Sequence, residues 1–265
     1  MERSDVAYLI NSTPKYFYIL ELHILLLKRY APSCKWPIYF ATEVPDHPLC
    51  AHLNTTYSVQ IIPLEVEHSS FLQSRARAVE LLPSTIKYVL PVQEDFLLER
   101  YVDVDTITQS LNILDTDKNI ISCRYMPCPG PHANSINYSE HWKYLDSRYD
   151  EYMFTFQATV WRRTDYLKLF KKLLEYISTV SAEKRRYVEI DYNIAENKVG
   201  VSLFNEVFKE QSHIAYIRAG KYPNAVYLSP FPYRPTAIVK GVLQPFAKEL
   251  VYREGFTQYL QNYLV

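Results

Sequence analysis

The sequence predicts an α/β fold in a single domain, with a mostly parallel central sheet flanked by helices. Three observations predict it. Short apolar runs that read as buried strands alternate with longer amphipathic stretches that read as helices. That alternation builds a parallel sheet, because parallel strands need crossover connections and helices supply them. The chain has 265 residues, 48% of them hydrophobic and 22% charged, which is a globular composition with enough apolar surface for a substantial core. Finally, no internal repeat, low-complexity tract or linker divides it, so one domain spanning 1–265 is expected.

The elements follow in order. Val6–Ile10 is the first strand. Asn11-Ser12-Thr13-Pro14 then supplies a cap and a first-turn proline, and a helix is expected to about Tyr30, with Phe17, Leu20, Ile24 and Leu27 on one face. Pro37–Ala41 and Val59–Ile62 are further strands. Ser69-Ser70 caps a second helix, on which Leu72, Ala76 and Val79 share a face, and Ile86–Val92 is another buried strand. A helix over Val104–Leu114 and a strand over Ile120–Cys123 come next. The stretch from Tyr125 to Tyr149 is rich in Pro, Asn, Ser, His and Tyr and has no periodicity, as binding loops and lids often lack it. Phe154–Trp161 is expected as a strand, Arg163–Ile177 as a helix and Glu189–Glu196 as a short helix. Short strands at Ile214–Ile217 and Ala237–Val239 and a helix near Leu243–Tyr252 complete the chain.

Composition excludes several functions. Lys+Arg and Asp+Glu are both 29, so formal net charge is zero, which argues against nucleic acid as a partner. Gly is scarce at 5, and neither a P-loop nor a G-x-G-x-x-G fingerprint is present, so a nucleotide must be held by other means. Cys34, Cys50, Cys123 and Cys128 match no zinc or C-x-x-C spacing. The opening residues carry no secretory signal, so reduced thiols and a cytoplasmic location are expected, and the sequons at Asn11, Asn54 and Asn137 count as chance matches. The most apolar stretch, Tyr16–Leu27, holds Glu21 and His23 and is too short to span a bilayer. The 24 tyrosines suit contacts with sugars and nucleobases, since each joins an apolar ring to a hydrogen-bonding tip.

In parallel α/β sheets, ligands sit at the carboxyl ends of strands. Gln93-Glu94-Asp95-Phe96 lies just past such an end. Paired carboxylates there provide hard oxygen ligands for a divalent cation, which in turn offsets the charge of a leaving diphosphate. Acidic pairs after strands also serve simply to cap turns, so the surroundings matter.

Ser74-Arg75-Ala76-Arg77-Ala78-Val79, Lys87-Tyr88-Val89-Leu90 and Gln93-Glu94-Asp95-Phe96-Leu97 occur in succession, with Val102-Asp103 after them. Phe156-Gln157-Ala158-Thr159-Val160-Trp161-Arg162 and Ala237-Ile238-Val239-Lys240-Gly241 follow. In this order the segments resemble GT-A glycosyltransferases of bacterial and viral polysaccharide pathways, and the resemblance covers about Val6 to Gly255. It implies a GT-A (Rossmann-like) domain with a nucleotide-sugar half over about 1–103 and an acceptor half over about 104–265. It also implies transfer of a sugar from a nucleotide-diphosphate sugar, a UDP-linked one, to an oligosaccharide or glycan acceptor, with Mn2+ or Mg2+ as cofactor. Asp95 and Glu94 would bind the metal and the donor. The usual motif is Asp-x-Asp, and the adjacent Glu-Asp pair leaves open which carboxylate ligates. Ser12, Thr13, Arg75, Arg77 and Lys240 would bind the donor. Glu189 and Asp191 lie where the family places the carboxylate base of an inverting mechanism, and Asp191 is the first choice. Trp161, His141 and Trp142 are acceptor candidates. His132 and His213 are assigned no role. A sugar nucleotidyltransferase would open with a glycine-rich basic loop, unlike Asn11–Lys15, and a noncatalytic carbohydrate-binding protein would more often be all-β.

Overall fold

The computed structural model describes residues 2–65, 71–126, 130–150, 152–180, 195–196, 198–209, 211–216 and 228–263. Its strands are β1 (Val6–Asn11), β2 (Ile38–Thr42), β3 (Gln60–Pro63), β4 (Tyr88–Gln93), β5 (Ile120–Arg124), β6 (Trp142–Tyr144), β7 (Thr159–Arg162) and β8 (Ser212–Tyr216). They form one sheet in the order β3-β2-β1-β4-β7-β5-β8-β6. β1, β2, β3 and β4 are mutually parallel, and β5 is parallel to β8. β7 runs antiparallel to both β4 and β5, and β6 antiparallel to β8. The expected mostly parallel α/β sheet is therefore present.

Both faces of the sheet are covered. Val6, Tyr8 and Ile10 of β1 face one core, which also takes α1 (Phe17–Tyr30), α2 (Pro48–Tyr57), α4 (Val104–Thr116) and α7 (Pro245–Arg253). Ala7 and Leu9 face the other, with α3 (Phe71–Glu80), α5 (Arg163–Thr179) and α6 (Lys198–Val207). A strand buried on both faces reads as a continuous apolar run, which is how β1 appears in the sequence. Among the described residues no helix is long and apolar enough to cross a membrane, and Cys34, Cys50 and Cys123 are free thiols.

Some elements differ from expectation. Helix α2 was not foreseen: it buries only Cys50 and Leu53, too few apolar positions to show a period, and starts at Pro48 after a His47 cap. Helix α6 and strand β6 were not foreseen either; β6 lies within the stretch expected to be irregular. The strand expected over Phe154–Trp161 is confined to Thr159–Arg162. Phe154 and Phe156 instead join an aromatic cluster with Trp161 and Tyr166, and the Glu196 carboxylate accepts the Phe156 N–H at 2.7 Å and the Thr155 hydroxyl at 2.8 Å. The short helix expected over Glu189–Glu196 lies largely outside the described residues, as do the Ser69-Ser70 cap and Cys128.

One irregularity prepares a crevice. β4 pairs with β1 through Gln93, but with β7 only at Tyr88 and Val89. Pro91 has no N–H to give to a neighbouring strand, so the β4–β7 ladder ends before it. Beyond Val89 the two strands part at the carboxyl end of β4.

Candidate functional site

The chain lays β2 and β3 on one side of β1 and then returns to place β4 on the other. This is a topological switch point, and the carboxyl ends of β1 and β4 are where an open sheet forms its ligand crevice. Asn11 closes β1 in register with Gln93 of β4 and Ala41 of β2. A cleft of about 140 Å³ opens there, lined by Asn11, Ser12, Thr13, Glu43, Arg75 and Glu94, with the rings of Tyr16 and Phe71. Whole small-molecule sites commonly measure ~300–1,000 Å³. The described cleft is therefore sized for one end of a ligand.

The two acids of the Glu94-Asp95 turn face different partners. Glu94 is buried in the cleft. Burial pushes its carboxyl up to about 7, and the neighbouring Asp95 charge adds to the rise; its own backbone N–H, the Arg75 charge and the Ser12 hydroxyl pull the other way. Asp95 is half-buried; burial lifts its carboxyl to about 6, and the nearby Ile238 backbone N–H, from the far end of the chain, pulls the other way. Arg75 lies 3.3 Å over the Phe71 ring, and burial lowers its guanidinium to about 10 despite the charges of Tyr166, Glu94 and Glu43.

The turn is also held from behind by α1. His23 Nδ1 donates to the Glu94 backbone carbonyl at 3.1 Å, and its Nε2 accepts the Tyr8 hydroxyl at 2.7 Å. The tautomer follows from chemistry, because a carbonyl can only accept. Burial lowers the imidazole to about 4, so it is neutral at physiological pH.

The C-terminal segment meets the first loop beside the site. Ile238–Val239 and Val242–Leu243 form a two-residue hairpin around Lys240 (φ 51°) and Gly241 (φ 81°), as a type I′ turn requires. Lys15, from the loop after β1, rests its side chain against Gly241. The exposed Lys240 thus stands on a turn beside the first loop.

Other sequence candidates lie elsewhere. Arg77 is turned away from the cleft: two residues on in α3 rotates a side chain by about 200°, and it approaches Glu80 and Glu65 at 3.4 and 3.8 Å. Trp161 is buried in the aromatic cluster with Phe154 and Tyr166, so no sugar can stack on it. Trp142 is also fully buried, its Nε1 donating to Gln109 at 3.1 Å. Both corrections share a reason: an indole in a sheet of this size fills core unless something holds it at the rim. His141 is half-buried at the carboxyl end of the sheet beside Tyr216, but β6 is separated from β4 by β7, β5 and β8, about 19 Å at the usual strand spacing. Asp103, placed near the motif in sequence, caps α4 by accepting the Thr106 N–H. His213 is buried against Phe204, and His132 stacks on Tyr149. Glu189 and Asp191 lie outside the described residues.

No protein-family model and no curated protein matches the chain. Solved structures do. A 4-diphosphocytidyl-2C-methyl-D-erythritol synthase from Anaerococcus prevotii DSM 20548 is similar over 96% of this chain and 99% of its own, with 9% identity and a TM-score of 0.48. S. aureus TarS, as a 1–349 fragment, is similar over 83% of this chain and 59% of its own (10% identity, TM-score 0.41). The glycosyltransferase GlyE of Streptococcus pneumoniae TIGR4 is similar over 80% of this chain and 45% of its own (11% identity, TM-score 0.45). This chain therefore spans less than two thirds of both of those chains. At such identities no residue carries over from one chain to another.

Several residues of the site were missed in the sequence. Glu43 follows β2 as Glu94 follows β4, so the same strand-end rule would have found it. Asn11 is buried in the cleft, and among the described residues its Nδ2 has no hydrogen-bond partner. Leaving such a donor unmet costs roughly 1–3 kcal/mol, a cost that a ligand's acceptor oxygen would remove. Among the described residues no three His, Cys, Asp or Glu side chains gather at one point. A hard dication here would rely on Asp95 or Glu94 together with a ligand's own phosphate oxygens, as Mg2+ commonly does.

Proposed function

We propose that this chain is a GT-A glycosyltransferase, moving a sugar from a nucleotide-diphosphate sugar to a glycan acceptor. The observation that carries this reading is the Glu94-Asp95 turn, set at the β1/β4 switch point of the sheet, whose Glu94 faces the cleft that Arg75 lines. A cleft with flat rings at Tyr16 and Phe71 and an unmet amide donor at Asn11 suits the nucleoside end of a donor. Ser12 and Thr13 line the same cleft, and Lys15, two residues beyond Thr13, rests against the Lys240-Gly241 turn, so two cations gather beside the first loop where phosphates need positive charge.

In the reaction, an acceptor hydroxyl oxygen bonds to the anomeric carbon as the bond from that carbon to the diphosphate oxygen breaks. The nucleoside diphosphate leaves, and the hydroxyl proton passes to a base, for which Asp191, or else Glu189, is the proposed carboxylate. Mn2+ or Mg2+, held by Asp95 or Glu94, would offset charge on the leaving diphosphate. A uridine donor, inversion at the anomeric carbon and action in the cytoplasm belong to the same proposal and rest on the resemblance and on the free thiols.

Turnover of a panel of UDP-, GDP- and CDP-sugars with Mn2+, followed by product analysis, tests this. Release of nucleoside diphosphate is expected. Release of pyrophosphate from a nucleoside triphosphate and a sugar phosphate would instead make the chain a nucleotidyltransferase, and binding without turnover would make it a carbohydrate- or nucleotide-binding protein.

A further inference from the structure

Resting on the reading above, we propose that Gln157 binds a hydroxyl of the sugar at the reaction centre, with Tyr233 aiming its carboxamide. The argument begins with the crevice where β4 and β7 part after Val89. Tyr233 links the residues that follow β4 to those that precede β7: its ring stacks on Phe96 of the acidic turn with centroids 4.3 Å apart and planes at 18°. The other end of that ring reaches the start of β7. There the Tyr233 hydroxyl accepts the Ala158 N–H at 2.8 Å and lies 2.8 Å from the Gln157 side chain.

These contacts fix which way the amide points. A backbone N–H can only donate, so the Tyr233 oxygen receives it, and the single hydroxyl proton is left for Gln157. Gln157 must therefore present Oε1 to Tyr233, which directs its NH2 group the other way. Gln157 is half-buried, so that group is reachable, and the described hydrogen bonds give it no partner. The backbone around it is equally constrained: its N–H goes to Thr155 Oγ1 at 3.3 Å, and its carbonyl accepts the Thr159 hydroxyl at 2.9 Å.

The position is right for a sugar. β7 runs antiparallel to β4, so its first residues lie at the carboxyl end of β4, on the same rim of the sheet as Glu94 and Asp95. Tyr233 alone spans from Phe96 to Gln157. A neutral carboxamide with two free N–H donors pairs with sugar hydroxyls, which offer acceptor lone pairs. Phosphate at this rim has the basic Lys15 and Lys240 nearer the first loop. The hydroxyl can belong to the donor's sugar or to the acceptor's.

The test uses Gln157→Met, which keeps the shape and removes the donors, and Tyr233→Phe, which keeps the stack on Phe96 and releases the amide. Calorimetry with the sugar nucleotide that wild type turns over fastest, and with its parent nucleoside diphosphate, separates sugar contacts from nucleotide contacts. Gln157→Met is expected to leave the nucleoside diphosphate within about two-fold and to weaken the sugar nucleotide about ten-fold, as loss of one hydrogen bond does. If the hydroxyl is the acceptor's, donor binding is unchanged and the acceptor KM rises by about the same factor. Tyr233→Phe should shift the same quantity in the same direction. Variants that lose thermal stability while keeping both the sugar-to-nucleotide affinity ratio and the acceptor KM overturn the proposal. If wild type binds no sugar nucleotide at all, the glycosyltransferase reading itself fails, and the inference falls with it.

Discussion

Glu94 and Asp95 are adjacent in sequence, yet Glu94 lines the cleft with Arg75 and Ser12, while Asp95 is outside that lining and near the Ile238 backbone. That divergence suits different duties. Asp95→Ala should abolish transfer and leave the fold intact, because a half-buried side chain at a strand end contributes little core; near-normal transfer in this variant would remove Asp95 from the donor site. Glu94 should show in stability as well. Its carboxyl titrates near 7 in the fold and in the ordinary carboxylate range when unfolded. Between about pH 4 and 7 the native state then binds more protons than the unfolded state, so stability falls as pH rises across that window. The cost at neutral pH is at most about 3 kcal/mol. Glu94→Gln should therefore melt higher than wild type at pH 8 and close to it at pH 4.5. Melting curves at the two pH values check the sign, and a variant that melts lower at pH 8 contradicts it.

Elements meet through unusual caps. The neighbouring arginines at the β7–α5 junction serve two other helices. Arg162 donates to the carbonyls of Leu114 and Asp117 at the end of α4 and to Ile120. Arg163 donates to Val79, Glu80, Leu82 and Pro83 at the end of α3. The last carbonyls of a helix have no partners within it, and a cation there also meets the negative end of the dipole. Because α3 carries Arg75, its anchoring sets one wall of the cleft. Arg163→Met should cost about 2 kcal/mol in urea unfolding, from hydrogen bonds to a charged group, and should weaken donor binding; an unchanged midpoint would show that water satisfies those carbonyls equally well.

At the scale of the whole molecule, the cleft joins the ends of β1, β2 and β4 to α3, and the C-terminal hairpin packs against Lys15 of the first loop. A ligand seated there ties the first loop to the ends of β2 and β4 and to α3. UDP with Mn2+ at about 100 times its Kd should then stabilise the fold by about 2.7 kcal/mol, seen as a raised Tm. UDP is expected to raise it more than CDP or GDP; a larger shift with GDP would overturn the uridine assignment. If Tm does not move with any of them, the cleft is not a nucleotide site.

The order of strands and helices was legible in the sequence because strands buried on both faces are continuous apolar runs and helices α4 and α5 bury one stripe. The acidic turn was legible for the same reason, since where an apolar run ends marks a strand's carboxyl edge. Short-range pattern carries that much and no more. Which arginine of α3 enters the cleft depends on what α3 packs against, and Arg75 and Arg77 are alike until Phe71 and Glu80 are placed around them. Trp161 and Trp142 look like sugar platforms until the sheet buries them. Tyr233 and Ile238 come to the acidic turn, and Gln157 to Tyr233, across more than sixty residues, a distance no local period can encode. Tertiary structure alone decided those contacts, because the β4–β7 ladder ends before Pro91 and a distant side chain, Tyr233, links the residues on either side of that end.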